Sequence, residues 1–117
     1  MSESLAARHC EACGPGTPPL PDEEVSKLVS ELQSHWTREG NAIQSSFEFK
    51  NFGDAFAFAT RIALLAENEG HHPDLKIGWG YLDVSLTTHV AGGLTENDFI
   101  MAARIDRMEP GGLKPRT

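Results

Sequence analysis

The sequence predicts an α+β fold: a two-layer sandwich with three helices on one face of a four-stranded antiparallel sheet, in the order α-β-β-α-β-β-α. Three observations predict it. Stretches with helical spacing of apolar residues alternate with pairs of stretches that alternate apolar and polar. Each strand pair carries one apolar face and one polar face, the pattern of a sheet covered on a single side. Glycine-containing turns, Glu39-Gly40-Asn41 and Trp79-Gly80, sit inside the two strand pairs and let neighbours run antiparallel. At 117 residues, with 39% hydrophobic and 23% charged, the chain is one domain with a single core.

A leader over residues 1–20 ends in Pro18-Pro19-Leu20-Pro21 and reads as irregular, loose chain. Asp22 stands at a helix start, with Glu23 and Glu24 where the helix dipole favours acids. Val25, Leu28, Val29 and Leu32 then recur at helical spacing, predicting a helix to about Ser34. A short strand near Trp36–Arg38 pairs across the turn with Ile43, Ser45, Phe47 and Phe49, whose neighbours are polar. Asn51 or Asp54 caps the longest helix, about Gly53 to Glu69, with its stripe at Phe52, Phe56, Ala59, Ile62/Ala63 and Ala66. Gly70 suits the left-handed residue that ends a helix, and Pro73 biases His72 towards an extended conformation. Leu75, Ile77 and Trp79, then Leu82, Val84, Leu86 and Thr88, form a hairpin or a bent strand ending at His89. Thr95 caps the last helix, whose first turn holds Glu96 and Asp98 and whose buried side holds Phe99, Ala102, Ala103 and Ile105. The organised domain therefore spans 21–109, followed by a flexible tail at 110–117.

Composition excludes some functions. The formal charge is −7, with 10 Lys and Arg against 17 Asp and Glu. Nucleic-acid binding needs a basic face that this balance does not supply. No apolar run approaches the roughly 20 residues of a membrane span, and the first residues lack the regions of a signal peptide. A cytoplasmic setting follows. His9-Cys10-Glu11-Ala12-Cys13 offers half of a zinc site, or a thiol pair, but no second Cys-x-x-Cys completes the first. The Gly and Pro residues that follow do not open the helix a redox motif needs. Ordinary thiols are the simpler reading.

Chemistry concentrates around Glu67-Asn68-Glu69-Gly70-His71-His72-Pro73. His71, His72 and His89 are three of five histidines, and Glu67 and Asp98 are acids placed to orient them. Histidine is the side chain suited to moving protons near neutral pH. Glu67 lies one helical turn before His71 and so shares its face. Taken singly, each histidine is an ordinary surface or hydrogen-bonded residue, Asp98 a helix-start acid and Glu67 a solvated one. The same five residues are also a candidate zinc set. Neighbouring extended residues face opposite ways, however, which sets His71 and His72 against a shared ion.

The combined pattern Glu67-x3-His71-His72-Pro73-x5-Trp79-x9-His89-x8-Asp98 resembles the signature of the pterin-4a-carbinolamine dehydratases. So do Trp36, Phe47-Glu48-Phe49-Lys50-Asn51-Phe52, Ala55-Phe56-Ala57-Phe58 and Gly93-Leu94-Thr95, a likeness covering about residues 20–108. The cysteine leader and Asn97-Asp98-Phe99-Ile100-Met101-Ala102-Ala103-Arg104 look like bacterial members. The resemblance implies a 4a-hydroxytetrahydrobiopterin dehydratase, a carbon–oxygen lyase that recycles the pterin of aromatic amino acid hydroxylases. It implies His71 and His89 as proton-transfer groups, His72 as the residue that orients the pterin, and Glu67 and Asp98 as fixers of the imidazole tautomers. It further implies no cofactor beyond the pterin substrate, no metal, a homodimer or homotetramer, and a functional link to a hydroxylase. Many animal members carry an acid, an aromatic and an arginine where this chain has Gly70, Leu75 and Asn97, so pterin affinity or stereoisomer preference is expected to differ. The rival readings are a non-enzymatic pterin-binding module and a protein-interaction module, such as a dimerisation cofactor of a homeodomain transcription factor.

Overall fold

The computed structural model describes residues 4–12, 14, 16–108 and 114–115. Three helices, α1 (Asp22–Glu31), α2 (Phe52–Glu69) and α3 (Glu96–Met108), alternate with strands β1 (Thr37–Glu39), β2 (Ala42–Glu48), β3 (Asp74–Gly78) and β4 (Tyr81–Leu86). The strands form an antiparallel sheet in the order β1-β2-β4-β3. The architecture is the α+β sandwich that the periodicities predict. A two-residue strand, β5 (Lys114–Pro115), pairs with β2 at Phe47 and Glu48. Apart from these two residues, the tail expected to be flexible lies outside the described residues.

The register explains the single core. Ile43 faces Leu86, Ser45 faces Val84 and Phe47 faces Leu82 across β2 and β4, while Leu75 and Ile77 face Val84 and Leu82 from β3. These rows point at the helices, and the alternate row Gln44, Ser46 and Lys76 faces away. The helices answer with Val25 and Leu28, with Phe58 and Ile62, and with Phe99, Met101 and Ile105, all buried. Four aromatic contacts tie the corner together, His35 and Trp36 packing on Phe47 at 5.3 and 6.4 Å and Phe58 on Phe47 and Phe49 at 5.6 and 5.8 Å.

Several expectations are corrected in detail. Helix α1 stops at Glu31 rather than Ser34, because the chain must turn early to insert His35 and Trp36. His35 meets Asp106 at 3.0 Å and bonds to Ser45, and Trp36 Nε1 donates to Asp106 at 2.9 Å. Pro21, not Asp22, precedes the first helical turn, and Asp22 pairs instead with Arg38. Asn51 is the cap of α2, its Oδ1 accepting the Asp54 amide at 2.7 Å. The buried stripe of α2 runs through Ala55, Phe58, Ala59, Ile62 and Ala66, leaving Phe52 and Phe56 about half exposed. The leader, read as loose, is packed: Leu5 is buried in the core, in a 3-10 turn (Leu5–Ala7) that lies on α3. Leu20 closes the leader onto the domain by donating its amide to the Leu94 carbonyl at 2.8 Å.

Candidate active site

The histidine pair is positioned by how α2 ends. Gly70 adopts φ +69°, a conformation that glycine reaches without strain, and its amide caps the Ala66 carbonyl at 2.8 Å. His71 and His72 then leave the helix and find different surroundings. His71 turns inward and is 9% exposed, whereas His72 faces solvent.

Each imidazole has a carboxylate partner. His71 Nε2 donates to Asp98 Oδ1 at 2.6 Å. Asp98 is fully buried, and its other oxygen accepts from Thr88 Oγ1 at 2.8 Å and the Thr95 amide at 2.9 Å. Thr95 Oγ1 donates in turn to Thr88 Oγ1 at 2.8 Å, since the Thr88 proton is committed to Asp98. Three donors around a buried carboxylate satisfy its charge and fix its orientation. With Nε2–H committed to Asp98, Nδ1 is the ring nitrogen of His71 left for any further partner. Glu67 Oε2 accepts from His72 Nε2 rather than from His71, in a pair exposed to solvent. Glu67 is therefore the partner of the second histidine of the pair, not of the first.

His89 does not end a strand. Strand β4 stops at Leu86, and His89 opens a 3-10 turn (His89–Ala91) closed by Gly92 at φ +71°. Among the described residues its exposed ring makes no hydrogen bond or ion pair. His71, His72 and His89 nevertheless line one cleft of about 240 Å³, with Gly70, Thr88 and Asn97 among their neighbours. Trp79, part of the same sequence pattern, stands elsewhere, 74% exposed at the β3–β4 turn beside Glu48 and Tyr81. A larger cavity of about 340 Å³ lies between the leader, α1 and α3 and contains none of the pattern's histidines. Among the described residues, no three His, Cys, Asp or Glu side chains are placed to hold a metal ion. Cys10 is half-buried, and Cys13 lies outside the described residues.

Four participants escape a reading based on charges and histidines. Thr88 and Thr95 tie Asp98 down, and Thr95-x-x-Asp98 is a capping-box spacing, a signal for Thr95 but not for Thr88. Asn97 and Glu11 also line the cleft, and they meet each other through two hydrogen bonds. Nothing in the periodicity of the leader foretells that contact.

The fold and the cleft define an α+β sandwich carrying three imidazoles on one cleft, two of them paired with carboxylates. Comparison with known proteins narrows this class. Residues 18–108 match the family model described as pterin 4 alpha carbinolamine dehydratase. A Rickettsia bellii protein is 46% identical over 107 residues, covering 91% of this chain and 95% of its own. One from Alkaliphilus metalliredigens is 39% identical over 107 residues, covering 91% and 96%. Both are named as pterin-4-alpha-carbinolamine dehydratases, the assignment in each name being provisional. A Brucella melitensis crystal structure, described as a transcriptional coactivator/pterin dehydratase, superimposes with a TM-score of 0.71 at 35% identity, covering 76% of this chain and 96% of that one. The chain belongs to the pterin 4-alpha-carbinolamine dehydratase family.

Proposed function

We propose that this protein dehydrates 4a-hydroxytetrahydropterin to quinonoid dihydropterin by histidine acid–base catalysis. The observation that carries the reading is the convergence of His71, His72 and His89 on one cleft, with His71 held by buried Asp98. The reaction breaks the C4a–O bond and forms a C4a–N5 double bond. The departing oxygen takes a proton from one imidazolium and leaves as water, and the N5 proton passes to a neutral imidazole. The two transfers balance, so solvent exchange alone restores the starting protonation states. His71 and His89 share them, His72 orients the ring, and Asp98 and Glu67 set the tautomers of the pair. The pterin is the substrate and the chemistry calls for no separate cofactor or metal.

The same reading places the protein in the cytoplasm as a homodimer or homotetramer, regenerating the pterin that an aromatic amino acid hydroxylase has used. The test is the ultraviolet decay of freshly generated 4a-hydroxytetrahydropterin in the presence of a chelator. Acceleration by the wild type, lost in His71→Ala plus His89→Ala, is the expected result. Decay no faster than the buffer blank would remove the dehydratase reading and leave a pterin-binding or interaction module on this fold.

A further inference from the structure

The leader reaches the cleft. Its backbone is fastened at successive residues: Arg107 donates to the Ala6 carbonyl at 3.3 Å and Arg104 to the Arg8 carbonyl at 3.0 Å. The Cys10 amide donates to Glu69 Oε1 at 2.7 Å, and His9 Nδ1 meets the other Glu69 oxygen at 2.9 Å. At Glu11 the backbone docks on one side chain, its amide donating to Asn97 Oδ1 at 2.9 Å and its carbonyl accepting from Asn97 Nδ2 at 2.6 Å. Asn97 adjoins Asp98, so the same turn of α3 that holds His71 also holds Glu11. Glu11 consequently forms part of the wall of the cleft that contains His71, His72 and His89.

We propose that Glu11 is a substrate-contacting, specificity-determining residue, whose carboxylate takes the amino-pyrimidinone edge of the pterin. This inference rests on the pterin reading of the site. Among the described residues that line the cleft, Glu11 is the one carboxylate; Asp98 lies buried behind His71 and Glu67 beside His72. A pterin presents N3–H and the 2-amino group side by side, two parallel donors that a carboxylate accepts together. An imidazole cannot accept both. The ring is thus held with its pyrimidinone end towards the leader and its C4a–N5 end towards His71 and His89. Two backbone hydrogen bonds to Asn97 fix the main chain that carries the carboxylate, which limits the entropy lost on binding.

The test compares Glu11→Gln with wild type in two measurements. One titrates 7,8-dihydrobiopterin and 7,8-dihydrolumazine, the latter lacking the 2-amino donor, by fluorescence. The other measures KM and kcat for 4a-hydroxytetrahydropterin. Glu11→Gln is expected to weaken dihydrobiopterin binding and raise KM about tenfold, to leave kcat within about twofold, and to change dihydrolumazine binding little. Asn97→Ala, which frees the leader, is expected to raise KM similarly while speeding alkylation of Cys10; Glu11→Gln leaves that alkylation slow. Equal dihydrobiopterin binding by wild type and Glu11→Gln overturns the inference, as does equal weakening of both ligands. A wild type that binds dihydrobiopterin without turning over the hydroxypterin removes the dehydratase reading alone, and the role of Glu11 is then decided by the titration.

Discussion

At the residue scale, Asp98 is tightly constrained. Fully buried and holding three donors, it has no water to compensate for a lost partner. Asp98→Asn keeps the volume but replaces one acceptor oxygen with an amide donor, facing either His71 or the Thr88–Thr95 pair. We expect it to lower kcat about 100-fold and to destabilise the fold by about 1–3 kcal/mol, read by the hydroxypterin assay and by urea unfolding. Glu67→Gln is the contrast: that pair is solvent-exposed, so stability should change by less than about 1 kcal/mol. Cys10 shows how packing of the leader bears on its thiol chemistry. Burial, reinforced by the charges of Glu69 and Asp98, pushes its thiol up to about 12, so the thiolate is scarce at neutral pH. In a Cys13→Ser background, Cys10 should react with iodoacetamide at pH 8 at least about tenfold more slowly than free cysteine; equal rates would show that the leader does not pack as described.

At the element scale, the leader behaves as an additional layer on α3, fastened to the end of α2 by Glu69. Burial raises the carboxyl pKa of Glu69, but hydrogen bonds from His9 and the Cys10 amide, with the Arg104 charge, outweigh that and hold it below the ordinary glutamate range. A depressed carboxylate contributes stability above its unfolded pKa and loses it as pH falls through the folded value. Hydrogen-exchange protection of the Cys10 amide should therefore persist as pH falls through the usual glutamate range and fall away only below it, and Glu69→Gln should abolish that dependence. This layer is also where sequence reading stops. Helices and strands announce themselves by repeating contacts, and Gly70, Pro73 and Asn51 sit at the ends of elements for local reasons that a sequence displays. Leu5, Cys10 and Glu11 make long-range contacts with α3, Glu69 and Asn97 that do not recur along the chain, and contacts that do not recur leave no period. The candidate site was legible for the same reason in part: His71, His72, His89, Glu67 and Asp98 were recognisable by type and spacing. The partner of Glu67 was not, because whether it meets His71 or His72 depends on the αL turn at Gly70. The 3-10 turn at His89 was likewise hidden behind a strand pattern that runs on to Thr88.

At the scale of the whole molecule, the exposed apolar residues of α2 stand apart from the cleft lining. Along α2, Phe52, Phe56 and Leu64 are 48%, 54% and 67% exposed, with the two phenylalanine rings stacked at 6.3 Å, on the side of the helix turned from the sheet. The stacked, half-exposed pair Phe52 and Phe56 is the kind of apolar patch that an interaction would cover. In the proposed homo-oligomer, a second α2 would bury this patch against an identical one by two-fold symmetry. The chain carries a formal charge of −7, so copies repel at long range and association must come from that apolar contact. Phe56→Glu places a further negative charge where the two copies would meet and should reduce the mass measured by light scattering towards the 12.8 kDa monomer. Phe56 precedes Gly70 by 14 residues of chain, roughly 21 Å along the helix axis, and does not line the cleft. The variant should therefore keep kcat within about twofold of wild type while losing assembly. An unchanged mass would move the interface off α2, and a collapse of kcat with the mass would mean that a neighbouring copy completes the cleft.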